Sequence, residues 1–190
     1  MDRGTIVRNA FYNLGDTTVY NDNRSEKYEI ANRLLDNVVK EINTSKKYTF
    51  NSSTIQLNTT GRQSVLGETE YVLPSDYLNI MAIYKKRLGY TSGVLPLALE
   101  IEQERTVSYR LEKGFIYANV TNLVMQYKYK MLLENYPPYM EFLVTWNLSF
   151  ELAKYFPEYK SYIPVCLQEM YNKEKSVIAS EPRGRLGVRI

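Results

Sequence analysis

The sequence has no histidine, and Cys166 is its only cysteine. Without imidazole there is no histidine general base, no Ser-His-Asp or Cys-His nucleophile pair and no histidine-ligated zinc. A single thiol excludes an intramolecular disulfide, a cysteine zinc cluster and a CxxC redox pair. No stretch approaches the roughly 18 consecutive apolar residues of a membrane helix. The opening Met-Asp-Arg-Gly-Thr-Ile-Val-Arg lacks the apolar core of a signal peptide, so neither a span nor a leader is predicted. Repeats and low-complexity tracts are also absent.

What is present suits a folded chain of 190 residues with its own core, at 44 % hydrophobic and 24 % charged. Tyrosine is the excess, with 18 copies. Its apolar ring and polar tip suit surfaces buried against partners. Coding bias would give the same count, since Asn, Lys and Ile are also plentiful, and composition does not separate the two. The formal net charge is +3, too small to imply nucleic-acid binding by itself. By segment it is −1 over residues 1–45, +4 over 46–131, −3 over 132–181 and +3 over 182–190.

Periodicity divides the chain in three. Ile6, Val7, Ala10, Phe11 and Leu14 mark one helical stripe, with Gly15 where a helix C′ residue belongs. Ser25 is a candidate N-cap for a second helix, whose apolar face runs from Tyr28 to Ile42. From Lys46 the period shortens to two. Tyr48, Phe50, Ile55 and Leu57 alternate with polar residues, and a Thr/Gly/Ser loop over 58–67 leads to a strand ended by Pro74, with a short helical turn capped by Ser75 or Asp76. Residues 80–84 read as strand, 97–104 as strand or short helix, and 109–117 as a hairpin turning at Gly114. In 123–131, Leu123, Met125, Tyr127, Tyr129 and Met131 share one face, leaving Gln126, Lys128 and Lys130 on the other.

The helical period returns after Met131, from Pro137–Pro138 to a stop at Pro157, then over 161–179 with Pro164 in the first turn. The expectation is an α+β fold: a four-helix bundle of N- and C-terminal helices (1–45 and 137–181) around one central antiparallel β insertion (46–131). It forms a single domain, 1–181, with a flexible C-terminal arm at 182–190.

No catalytic, cofactor or metal constellation is predicted. Gly61 to Gly67 is too sparse for a phosphate loop and lies between strands. Glu100, Glu102 and Glu104 share a face if extended, a spacing that suits a hard cation and a metal-dependent nuclease. A solvated face is the plainer reading, because Leu97, Leu99 and Ile101 supply its buried counterpart. Glu68 and Glu70 have the same weakness. Cys166 lies on a helical apolar stripe and reads as a structural thiol. Lys85, Lys86, Arg87, Lys128 and Lys130, with nearby tyrosines, are candidate contacts to DNA or a partner, and underlie an alternative reading as a nucleic-acid-binding module.

The order of segments resembles the head-to-tail adaptor (tail tubular or connector) proteins of short-tailed bacteriophages. Tyr12-Asn13-Leu14-Gly15-Asp16-Thr17-Thr18-Val19 is similar to that family's Leu-x-x-Ile-Gly-Glu-x-x-Val turn. A helix over 31–42 leads to Lys47-Tyr48-Thr49-Phe50-Asn51, where the family has Gly-Trp-x-Phe-Asn. Tyr71-Val72-Leu73-Pro74-Ser75-Asp76-Tyr77-Leu78, the 111–117 hairpin, and Leu133-Glu134-Asn135-Tyr136-Pro137 before the next helix complete the order. The resemblance spans residues 5–180.

It implies a virion protein at the head–tail junction, assembled in the bacterial host cytoplasm. A ring, typically of twelve copies, would dock under the portal protein, extend the DNA channel and provide a platform for tail assembly and genome ejection. Its partners would be copies of itself, the portal, a downstream tail or nozzle protein and double-stranded DNA in passage. Arg183, Arg185, Leu186, Val188, Arg189 and Ile190 would form the portal-docking arm, arginines for carboxylates and aliphatics for a groove.

Overall fold

The structure is a computed structural model describing residues 1–18, 25–85 and 107–181. The contacts divide the chain into two compact units. One joins residues 1–51 to 131–181 and is helical; the other, Ser52–Lys130, is built of strands.

The helical unit contains α1 (Arg3–Asn13), α2 (Glu26–Thr44), α3 (Glu141–Tyr155) and α4 (Ile163–Ser180). Asp2 caps α1 by accepting from the Thr5 amide at 2.7 Å, and Ser25 caps α2 through the Tyr28 amide at 3.3 Å. At the end of α1 the Gly15 and Asp16 amides bond back to Tyr12 and Phe11, closing a Schellman turn. The turn requires a left-handed residue, and Gly15 supplies φ +74°. Pro164 lies in the first turn of α4, where its missing N–H is harmless. Pro157 opens a 3₁₀ segment, Pro157–Tyr162, between α3 and α4.

The four helices do not form a four-helix bundle. In a bundle each helix offers one stripe to a shared axis. Here α3 is apolar nearly all round, burying Leu143, Val144, Leu148, Leu152 and Ala153, so it belongs at the centre. Helices α1, α2 and α4 each pack mainly on α3, and α4 buries only Cys166 and Val177 completely. The expected bundle with one central β insertion is therefore corrected to helices arranged around a hub, and the β region is two sheets rather than one.

In the strand unit β1 (Ser52–Gln56), β7 (Leu123–Tyr129) and β4 (Tyr77–Lys85) make an antiparallel sheet in the order β1-β7-β4. The second sheet, also antiparallel, has the order β2-β3-β6-β5, from β2 (Thr59–Gln63), β3 (Thr69–Val72), β6 (Phe115–Ala118) and β5 (Tyr109–Glu112). Leu57, Tyr71, Ile83, Ile116, Ala118, Leu123, Met125 and Tyr127, drawn from both sheets, form the core of the strand unit. The β5–β6 hairpin turns on Lys113 and Gly114, both at positive φ (50° and 83°), as a two-residue loop demands. After Pro74 the chain makes a tight turn, Tyr77 amide to Pro74 carbonyl, in place of the expected helical turn.

The tyrosines are mainly internal wedges. Of the sixteen described, only Tyr12, Tyr109, Tyr155 and Tyr171 are exposed. Several buried rings send the hydroxyl to a fixed acceptor: Tyr136 to the Val39 carbonyl, Tyr71 to the Val120 carbonyl, Tyr127 to Asp76. The polar tip lets a large ring sit at the margin of a core without stranding a donor.

Candidate interaction surfaces

The thiol and the two ionisable clusters described next make internal contacts. Cys166 is buried on α4, and desolvation pushes its thiol up to about 11, so it stays protonated. The nearest thing to a reactive cluster is Asp16, Lys27, Glu158 and Tyr159. Lys27 Nζ donates to Tyr159 Oη at 2.7 Å and Asp16 Oδ2 at 3.2 Å, and pairs with Glu158 at 3.1 Å. Tyr159 donates in turn to Asp16, whose other oxygen takes the Thr18 amide and hydroxyl.

Desolvation opposes the charge on Asp16 and on Lys27, yet these bonds outweigh it. Asp16 is held far below its usual range and Lys27 above its own. Desolvation and the Asp16 bond push Tyr159 up to about 12. Neither Lys27 nor Tyr159 can then act as a base near neutrality. The cluster clasps the end of α1, the first turn of α2 and the 157–162 segment together. In the strand unit Arg110 bridges Glu68 (2.8 Å) and Glu112 and lies over the Tyr117 ring, while Tyr117 donates to Glu70 at 2.7 Å. No group of three acidic or cysteine side chains that could hold a metal ion occurs among the described residues. Glu100, Glu102 and Glu104 lie outside them.

Among the exposed apolar surfaces of the described residues, two have a defined shape. The first follows from the hub arrangement: α2 and α4 both lie on α3 without closing on each other, which leaves an open groove of about 310 Å³. Ile42, Leu143, Leu167, Met170 and Tyr171 give it an apolar lining, and Glu41, Lys47, Tyr48, Asn147 and Glu174 give it a polar margin. Lys47 pairs with Glu174 at 2.6 Å; no cation pairs with Glu41 among the described residues. Leu167, Tyr171 and Ile178 are spaced along one face of α4 and are about half exposed, at 48 %, 54 % and 46 %.

The second is the tip of the β2–β3 hairpin. The Ser64 amide bonds to the Glu68 carbonyl (2.8 Å), the Gly67 amide to the Ser64 carbonyl (2.9 Å), and Gly67 is left-handed at φ +79°. The Ser64 hydroxyl also takes the amides of Leu66 and Glu68, each at 3.2 Å. This rigid turn carries Val65, fully exposed, and Leu66, 75 % exposed, at its two central positions. Turn centres ordinarily hold Pro, Asp, Asn, Ser or Gly. Two bare aliphatics there break local chemistry with no gain inside the fold, as happens at functional positions.

The predicted contact residues scatter. Lys85 is exposed at the end of β4 and pairs in register with Leu123, whereas Lys130 follows β7 at its other end, roughly 23 Å away at ~3.3 Å per residue. Lys128 was expected on the open face of its strand but is completely buried. It sits mid-strand in β7, the central strand of its sheet, in register with Ser52 and Asn79, and both faces of that strand are covered. It is not available to DNA. Lys86, Arg87 and the arm residues Arg183, Arg185, Leu186, Val188, Arg189 and Ile190 lie outside the described residues.

Just before that arm, the buried Glu181 carboxylate accepts from the Thr49 amide and hydroxyl at 2.7 Å and the Phe50 amide at 3.2 Å. The end of α4 is thereby pinned to the segment that follows α2. Sequence reasoning missed Val65, Leu66 and Glu181; an aliphatic pair followed by glycine between polar strands is the one local signal that marks the tip. No protein-family model matches the chain, and no curated protein matches it.

Proposed function

We propose that this chain is a structural subunit of a bacteriophage virion, a head-to-tail connector that forms a ring beneath the portal and continues the DNA channel into the tail. The observation that carries this reading is the contrast between closed chemistry and open apolar surface. Ionisable clusters in the described residues are spent on internal clasps, while an aliphatic hairpin tip and an apolar groove are left for contacts with other molecules. The ordered resemblance over residues 5–180 supplies the class of assembly. The Glu181 anchor supports a role for the following nine residues as a docking arm, because a segment that must pull on a partner needs a fixed root.

Lys128 is buried and Lys85 and Lys130 lie at opposite ends of the β4–β7 pair, so these three lysines do not form one basic patch; Lys86 and Arg87, the other members of the nucleic-acid-binding reading, lie outside the described residues. A conduit that must release DNA is served by a weak net charge. The test is co-purification with a matching portal assembly. The full chain attaches, and a chain ending at residue 181 stays folded by circular dichroism but fails to attach. Equal attachment of both would remove the arm from the mechanism.

A further inference from the structure

Two surfaces that cannot satisfy themselves call for a partner, and their shapes and charges differ in complementary ways. The hairpin tip is convex and narrow, and Val65 and Leu66 stand together at its end. The α2–α4 groove is concave and apolar at its floor. Its volume of about 310 Å³ is about twice the ~150 Å³ cavity that encloses a benzene-sized body, which is room for two aliphatic side chains. Arg62 lies just before the turn, exposed; its charge is felt by Glu70 across the strand pair, but it makes no close ion pair among the described residues. Glu41 lies exposed on the groove margin with the opposite sign, and likewise makes no close ion pair among the described residues.

We infer that the Val65–Leu66 tip of one copy seats in the α2–α4 groove of the next, with Arg62 facing Glu41. The occupant is thus a second copy of this chain. Tip and groove are different surfaces, so the contact is heterologous: each copy gives one tip and takes one. Repeated contacts of that kind either close into a ring or run on as a filament. The inference rests on the connector reading in expecting closure, and it assigns that reading its subunit contact. Leu167 and Tyr171 become the walls against which the tip packs, which accounts for apolar side chains on the exposed face of a peripheral helix.

The test uses the full chain at increasing concentration without portal, followed by native mass spectrometry and sedimentation. Leu66→Asp should weaken association by about ten- to a hundredfold, the value of one buried aliphatic side chain. Aspartate is also a better turn residue than leucine, so folding is kept. Tyr171→Asp, at an exposed position, should do the same. At a concentration where the parent associates and each variant alone is monomeric, an equimolar mixture of the two gives a one-to-one dimer and nothing larger, because only one intact tip faces one intact groove. A chain lacking residues 182–190 should associate like the parent.

Self-association that Leu66→Asp leaves unchanged overturns the inference, as does a parent chain that stays monomeric at all concentrations. Loss of association on removing 182–190, with Leu66→Asp silent, would make the C-terminal segment the occupant and likewise overturn it. The connector reading fails separately: association through tip and groove without portal attachment sinks that reading alone, and portal-bound rings that take up Leu66→Asp as readily as the parent sink this inference alone.

Discussion

The two units solve the problem of holding a fold by different means. The helical unit is assembled from segments distant in sequence, around α3, and is closed by polar ties of long reach. Glu181 bonds to Thr49, 132 residues earlier, and Lys27 to Tyr159, also 132 residues apart. The strand unit is held by backbone pairing: β7 pairs with the distant β1 and β4, and β3 with β6, while β2–β3 and β5–β6 are local hairpins turning at 63–69 and 112–115. Its core is smaller, and its side-chain ties are Tyr117–Glu70 between adjacent strands and Glu68–Arg110–Glu112. Long-range ties give the helical unit a precise groove between α2 and α4. Local hairpins give the strand unit a projecting tip. The difference in construction is what provides one concave and one convex surface.

The sharpest way to break this comparison is to remove the hub. Leu148 is fully buried in α3 beneath the packed helices. Leu148→Ala should cost about 3–5 kcal/mol, and Ile116→Ala, next to an edge strand that can relax, nearer about 2 kcal/mol. Amide exchange read separately in each unit checks this; equal losses would mean that α3 is not a special centre. Next comes the tie at Glu181. Glu181→Ala removes the charged acceptor of the part-buried Thr49 and Phe50 amides and should cost about 1–3 kcal/mol, with faster exchange at Thr49 and Phe50. Unchanged exchange there would show that the 45–51 segment holds itself.

Gly15→Ala is expected to cost about 1–2 kcal/mol for the left-handed backbone alone. Its new Cβ would also come within 2.8 Å of the Tyr162 hydroxyl. Adding Tyr162→Phe should recover the steric part and leave the backbone part. Complete recovery would mean that φ +74° carries no cost.

The smallest effect is a pH dependence. Asp16 is depressed from its ordinary 3.8, so its contribution is complete above about pH 4 and is lost as pH falls through the folded-state value. Lys27 and Tyr159 are raised, so theirs is complete below about pH 10 and is lost at higher pH, for Tyr159 through about 12. Asp16→Asn should flatten the acid limb of the stability profile between pH 2 and 5. An acid limb identical to the parent's would dismiss the clasp.

Local chemistry made part of this fold readable in advance. Ser25, Gly15, Pro157, Pro164 and Gly114 act through their own backbone and nearest turn, and each marks the boundary it promised. What was not legible depends on distant partners. The apolar positions of α3 read as one inward face, whereas only the packing of three other helices makes it a hub. The alternation that put Lys128 on an open face is a one-strand argument; coverage of both faces of β7 is a property of the assembled unit. The hairpin tip was hidden because β2, Thr-Thr-Gly-Arg-Gln, has almost no apolar signal and acquires its strand from pairing with β3. The placement of the tyrosines likewise depends on tertiary context: among the described residues most rings turn inward, and Tyr171 is left on the groove.

Electron microscopy of the full chain mixed with a matching portal assembly tests the central claim most directly. A closed ring of this chain seated on one end of the portal, with hairpin tips inserted between α2 and α4 of neighbouring copies, is the predicted image. Portals that remain bare beside free monomers at every concentration would contradict it.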